Sequence, residues 1–365
     1  MDFNLDESQQ AVSDLAGTIF AGHLTAERFK EVDAAKVRFD QALWAALADA
    51  GLLGISLPSE HGGSDESFLT TAVLLEQAGR WAAPVPLLPT VVMGAMPIAR
   101  FGSASLQSSV LPGVVAGSMV LTAALVDGAG GAGVTARSSG DAWLLEGAKT
   151  CVPAATIADR ILVPALTAGS EMAVFVVDAA ASGVTITPVR TTTGDPSGRV
   201  ELSDVAAERL GGAEVLDWIV THATAAMCSQ MAGVAKRSVE LTAEYVKTRE
   251  QFDRPIATFQ AVGQRAADAF IDAEAIALTS RQAAWRLAEG LPAAEEVAIA
   301  KFWAADGGQR VVHAAVHLHG GVGVDRDYPL HRYFLLAKEL ELSLGGTTVS
   351  LLRLGGILAR EPAVL

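Results

Sequence analysis

A chain of 365 residues that is half hydrophobic has material for two or three domains and cannot be a disordered segment. Its 41 acidic against 27 basic residues give a net charge of −14 with no Lys/Arg run, which argues against nucleic-acid or anionic-membrane binding. Only Cys151 and Cys228 are present, so a disulfide framework, a CxxC pair and a thiolate metal site are excluded, and both read as ordinary semi-buried thiols.

The first residues have no basic n-region and no apolar core, and the apolar stretch 110–126 is broken by Pro112, Gly113 and Gly117. The expectation is a cytoplasmic protein with no signal peptide and no membrane span. Asp6 precedes an apolar-periodic segment through Phe20, which predicts a cap and an amphipathic helix. The pattern repeats over 39–50, where Leu43, Trp44 and Leu47 share a face and Gly51 stops it. Residues 58–63 predict a loop and 70–81 a strongly apolar helix. Pro84, Pro86 and Pro89 then predict an extended crossing before a helix that ends near Arg100.

From about Val115 the period changes to short β-branched runs: 120–125, 142–146, 160–164, 172–178, 184–189 and 200–202. A glycine-rich stretch, 128–133, separates the first two, and it lacks the GxxxxGK[ST] pattern of a P-loop. These runs predict a small antiparallel sheet domain that closes near Gly211 and Gly212. Helical periodicity then returns over 218–250, 261–290, 293–317, 330–343 and from 347 to the end, with alanines that permit close packing. The expected fold is mainly α with a central β domain: an N-terminal helical domain (1–114), a middle β domain (115–212) and a C-terminal four-helix bundle (213–365).

Two segments of the bundle carry chemistry. Arg249 ends a helical turn and offers a fork of donors suited to a pyrophosphate, with the flat face of Phe252 beside it. Gly320, Gly321 and Gly323 remove side chains, so backbone amides can approach a phosphate or a polyol oxygen. From the residues alone, Arg249 could equally pair with a surface carboxylate, and the glycines could merely turn the chain.

The order of these residues settles more. Tyr245, Arg249, Gln251, Phe252, Pro255, Ile256, Phe259 and Gln260 stand at the spacing Tyr-x3-Arg-x-Gln-Phe-x2-Pro-Ile-x2-Phe-Gln. His319-Gly-Gly-Val-Gly323, then Tyr328-Pro-Leu-His-Arg-Tyr333, then Gly346-Thr347 follow. Here the whole chain resembles the acyl-CoA dehydrogenase family, with Asp253 replacing a glycine of the first signature. Weaker echoes occur at 51–55, 58–63, 101–102 and 145–149. The resemblance implies FAD as cofactor, contacted by Arg249, Phe252, Gln260, His317, Gly320, Gly321 and Thr347 across a subunit boundary. It also implies a glutamate base that takes the α-proton of an acyl-CoA. The family places that base at one of two positions, which here are Gly345 and Ala223, and neither side chain can accept a proton.

Further departures accompany the loss. Thr224 stands where many members have an arginine, Leu335-Leu336 where they have Arg-Asp, and Val349 replaces a polar flavin contact. His317 replaces the glutamine that usually precedes the Gly-Gly turn. In the β domain the segments that wall the flavin ring become 124–128 and 151–153. The chain resembles the base-lacking subunit of actinobacterial α2β2 acyl-CoA dehydrogenases that act on steroid side chains. Trp285, Trp303 and Gly345-Gly346-Thr347 add to that likeness. The resemblance implies a catalytic partner subunit that carries most of the acyl-CoA site, and electron-transfer flavoprotein as acceptor.

Two other functions stay open at this point: a self-sufficient enzyme with a relocated carboxylate, and a flavin-free scaffold or acyl-CoA-binding subunit. Glu339 and Glu341 are the better relocated-base candidates, while Asp268, Asp272 and Glu274 read as one solvated or salt-bridged helix stripe. His313, His317 and His319 have spacing conceivable for zinc but lack the HExxH glutamate, and they read as structural histidines with no metal.

Overall fold

The computed structural model describes residues 3–128, 133–140 and 142–360. The chain packs as two compact units. One gathers the described residues through Arg28, then Ser67–Ala83 and those from Thr224 onward; the other gathers Phe29–Glu66 and Pro84–Ala223.

In the first unit, α1 (Glu7–His23) starts at the predicted cap. The Asp6 carboxylate accepts the Gln9 N–H at 2.8 Å, and Gln9 Oε1 accepts the Asp6 N–H at 3.2 Å, a reciprocal capping box. The next helix here is α4 (Phe68–Arg80). The C-terminal helices are α7 (Ala213–Thr248, in this unit from Thr224), α8 (Gln260–Ala288), α9 (Ala294–Phe302), α10 (Gly308–His319), α11 (Leu330–Leu342) and α12 (Thr347–Leu358). The helix predicted over 293–317 exists, but a π-turn at Trp303–Gly307 joins its two parts, α9 and α10. Buried Ala283, Ala284, Ala298, Ala300, Ala305 and Ala315 let these helices approach closely. The last helix was expected to run to the end; residues 361–365 lie outside those described.

The second unit holds α2 (Ala26–Ala34, from Phe29), α3 (Gln41–Asp49), α5 (Met96–Phe101), α6 (Ala104–Val115) and the start of α7 through Ala223. Its strands are β1 (Leu121–Ala123), β2 (Thr135–Ser139), β3 (Ala142–Val152), β4 (Arg160–Thr167), β5 (Met172–Asp178), β6 (Val184–Pro188) and β7 (Gly198–Gly211). The sheet runs β1-β4-β2-β3-β7-β5, with β6 on β7, and β5 also pairs with β4. Strands β4, β2, β3, β7 and β5 thus close on themselves, which removes their free edges. Inside sit Leu145, Ile161, Val163, Phe175, Val177, Val200, Leu202 and Val205.

Several sequence expectations change in detail. The sheet is antiparallel except where β1 and β2 pair parallel with β4. Strand β2 was missed because only Ala136 among its residues is buried. Strand β7 extends far beyond 200–202 because backbone pairing with β3, β5 and β6 holds its polar residues in register. The crossing predicted at Pro84, Pro86 and Pro89 already ends at Leu87, where a helix begins, and the helix predicted to end near Arg100 is present. A π-helical run, Leu88–Ala95, leads directly into α5, with Pro89 in its first turn, where a missing N–H costs nothing. Helix α6 continues through Pro112 because Leu106, Val110, Leu111 and Val114 bury one face. Of the glycine-rich stretch 128–133, residues 129–132 lie outside those described. Among the described residues no helix is long and apolar enough to cross a membrane.

Candidate functional site

Helix α7 ends at Thr248, and the Arg249 N–H still donates to Tyr245 O at 2.8 Å. A hairpin follows at once: β8 (Glu250–Gln251) pairs with β9 (Arg254–Pro255), leaving Phe252 and Asp253 as a two-residue turn. Both have positive φ, 55° and 60°, the combination that tight hairpins of the I′ type require. Aspartate tolerates this region; a bulky phenylalanine there is strained, and such strain persists chiefly where function holds it. Phe252 is 87% exposed and forms a T-shaped pair with Phe259, over whose ring Arg254 stacks at 4.2 Å. Arg249 is exposed, and among the described residues no carboxylate pairs with it. The surface ion pair that sequence left open does not form among the described residues. Gln260, also exposed, opens α8.

The second motif begins where α10 stops. Gly320 has φ 61° and ψ −138°, a conformation reserved for glycine, and it starts a 3-10 turn, Gly320–Val324. The three glycines separate by cause. A Cβ on Gly323 would lie 2.9 Å from Val316 O, so packing within the chain requires that glycine. A Cβ on Gly320 or Gly321 would meet nothing within 4 Å. Their bare backbone faces outward, a cradle that fits a phosphate or polyol chain approaching from outside.

The histidines divide in the same way. His313 and His317 are exposed, and His313 stands edge-on to Phe334. His319 is buried: its Nδ1–H donates to Ala315 O at 2.8 Å and its Nε2 accepts from the Tyr328 hydroxyl at 3.1 Å. Burial holds its pKa below the usual imidazole range. Among the described residues no cluster of three or more His, Cys, Asp or Glu is arranged for a metal ion. The Tyr245 ring stacks on His319 at 4.3 Å, so the base of the Arg249 hairpin and the base of the Gly320 turn touch. Tyr245 and Tyr328 join the site residues, and the signal for them in the sequence is that a tyrosine opens each of these motif segments.

Neither position for a base carries a polar side chain. Ala223 is 0% exposed within α7. Gly345 has φ 105°, and a Cβ there would lie 2.9 Å from Val349 Cγ1. Thr347 is half-buried at the first turn of α12. Of the candidate carboxylates, Asp272, Glu339 and Glu341 are otherwise occupied. Asp272 takes a two-pronged grip from Arg310, at 2.6 and 2.8 Å, and Glu341 accepts from Lys338 at 2.8 Å. Asp268 and Glu274 lie exposed on α8, and Glu339 has a partner of its own. Nearby, buried Lys301 donates to Leu340 O at 2.6 Å and caps the end of α11.

In the β unit, Lys149, 3% exposed, is paired with Asp127 at 2.6 Å, and the Thr150 N–H donates to Val126 O at 2.9 Å. Segments 124–128 and 149–153 are therefore tied to each other. Cys151 is exposed and Cys228 buried, so neither thiol is semi-buried as expected.

Comparison with known proteins agrees with the motifs. The chain matches the N-terminal domain of acyl-CoA dehydrogenases over residues 6–118, the middle domain over 124–205 and the C-terminal domain over 211–356. It is 45% identical to the acyl-CoA dehydrogenase FadE27 of Mycobacterium tuberculosis across 100% of both chains. A chain in the crystal structure of the ChsE4-ChsE5 complex from Mycobacterium tuberculosis superposes with a TM-score of 0.97 at 44% identity, again over 100% of each. A chain in a variant of the Tcur3481-Tcur3483 steroid ACAD gives 0.92 at 42% identity, covering 97% of this chain and 98% of that one. With all three domains matched in order along its length, the chain belongs to the acyl-CoA dehydrogenase family.

Proposed function

We propose that this chain is the base-lacking subunit of a heteromeric, FAD-dependent acyl-CoA dehydrogenase, organised as domains 1–114, 115–212 and 213–365. In the α,β-dehydrogenation of an acyl-CoA, a carboxylate takes the α-proton while FAD, when bound, supplies the acceptor for the β-hydride. This chain offers no such carboxylate at Ala223 or Gly345. Its contribution is binding: Arg249 neutralises a pyrophosphate, Phe252 covers an apolar edge, and the Gly320-Gly321 backbone donates to phosphate or polyol oxygens. Gln260, His317 and Thr347 line the same cofactor from their helix ends.

One observation carries this reading: an open donor face, with Arg249 unpaired among the described residues and Gly320-Gly321 bare, stands in a chain with no carboxylate at position 223 or 345. The named relatives that are complexes of two different chains support a catalytic partner in an α2β2 assembly. The steroid name on one of them supports a steroid side-chain CoA thioester as substrate. Electron-transfer flavoprotein is the expected acceptor, and the cytoplasm the expected compartment. The ion pairs of Asp272 and Glu341 speak against a relocated base.

Co-expression with adjacent reading frames tests the reading. The expected product is a coloured complex with one flavin per two chains, active only when both chains are present. Full FAD binding and acyl-CoA oxidation by this chain alone would overturn it, and a colourless active-partner complex would favour a flavin-free scaffold.

A further inference from the structure

We propose that Tyr245, His319 and Tyr328 form a positioning cluster that fixes the distance between Arg249 and the Gly320-Gly321 turn, so that both reach one dinucleotide together. This rests on the cofactor-binding role proposed above.

Each member comes from a different stretch of chain. Tyr245 lies on the last turn of α7, one hydrogen bond from Arg249. His319 is the last residue of α10, directly before Gly320. Tyr328 lies on the connection to α11, held by its N–H to Asp325 O at 3.2 Å and by His331 Nδ1 on its carbonyl at 2.7 Å.

The contacts fix orientation as well as distance. Because His319 Nδ1–H is committed to Ala315 O, Nε2 carries the lone pair and can only accept, which it does from the Tyr328 hydroxyl. The imidazole cannot rotate without losing both bonds. Its face is covered by Tyr245 at 4.3 Å with planes 24° apart, and Tyr328 meets Tyr245 edge-on at 6.3 Å. A slide of α7 along α10 would unstack the pair, so the two donor groups move as one body. The tips of both elements are themselves open: Phe252 is largely exposed, and Gly320 and Gly321 have open space around them. For a ligand gripped at two points, this preorganisation is affinity, since it removes the cost of aligning the grips at binding.

The test uses the purified complex of this chain with its catalytic partner and reads the FAD dissociation constant alongside the melting temperature. Tyr245→Leu and His319→Leu are expected to weaken FAD about tenfold, as for one aromatic contact or hydrogen bond. Tyr245→Phe, which keeps the stack, is expected to bind as the parent, and His319→Gln, which keeps an acceptor, to recover part of the loss. In an Arg249→Ala background, Tyr245→Leu should add little, because its effect runs through Arg249. A merely structural role would instead lower the melting temperature and give additive losses. Unchanged FAD affinity in Tyr245→Leu and His319→Leu, with Arg249→Ala weakening it, overturns this inference alone. Arg249→Ala with no effect overturns the cofactor-binding role and this inference with it.

Discussion

Gly79 and Gly233 let two helix backbones touch: a Cβ on Gly79 would lie 1.9 Å from Gln230 O, and one on Gly233 would lie 1.8 Å from Glu76 O. Helices α4 and α7 thus cross with no side chain between them, and Arg80 beside the crossing pairs with Glu240 at 2.6 Å. The obstructing atoms are backbone, which cannot swing aside. Gly233→Ala is expected to cost about 3 kcal/mol or more, the upper range for overpacking. Urea denaturation of the purified protein, with an unchanged m-value, checks this; a loss below about 1 kcal/mol would mean the helices separate easily.

The two thiols should differ sharply in reactivity. Burial pushes Cys228 up to about 12, with the Lys301 charge offsetting only part of it, while Cys151 stands exposed on β3. A chromogenic disulfide reagent at pH 8 should titrate one thiol in the folded protein and a second only in denaturant. Cys151→Ser should abolish the fast phase.

How much of this was readable beforehand depends on where the determining interaction lies. The α1 start was legible because Asp6 and Gln9 are three apart and cap each other locally. Strand β5 was legible because Ala173, Val174, Phe175, Val176 and Val177 are all buried. Strand β2 and most of β7 were not, because polar residues such as Ser138 and Glu208 are held by partner strands rather than by their own propensity. Pro89 misled for the opposite reason: it obeys a local rule that its place in the first helical turn overrides. In the site, Arg249 and the glycines were visible as spacing. The Tyr245–His319 stack was not, since it joins residues far apart in sequence.

Stability should fall in mild acid through His222. Its ring stacks on Trp218 at 3.7 Å, and its Nδ1–H donates to Trp218 O at 2.9 Å. Burial, aided by the nearby Arg100 charge, pushes its pKa down to about 4 from 6.5 despite that bond. The folded state therefore binds fewer protons than the unfolded chain between these values. Stability is fully present above about pH 6.5 and declines as pH falls toward 4, by about 3 kcal/mol for this group. His222→Phe keeps a ring on Trp218 and removes the titration, so it should flatten the pH profile of urea midpoints in that window. An unchanged slope would assign the acid sensitivity elsewhere.

Restoring a base by substitution should fail at Gly345. Its φ of 105° lies where side chains are strained, at about 1–3 kcal/mol. The new Cβ would also press on Val349 Cγ1 at 2.9 Å, at the first turn of α12. Ala223→Glu meets a different obstacle, since the site is fully buried and a carboxylate there would be desolvated. Gly345→Glu is expected to lower the melting temperature and to give no acyl-CoA turnover without the partner. Measurable turnover by the single chain carrying Gly345→Glu would show that the turn relaxes and that only the carboxylate itself was missing. Loss of stability without turnover instead places the obstacle in the backbone, where reverting one side chain cannot remove it.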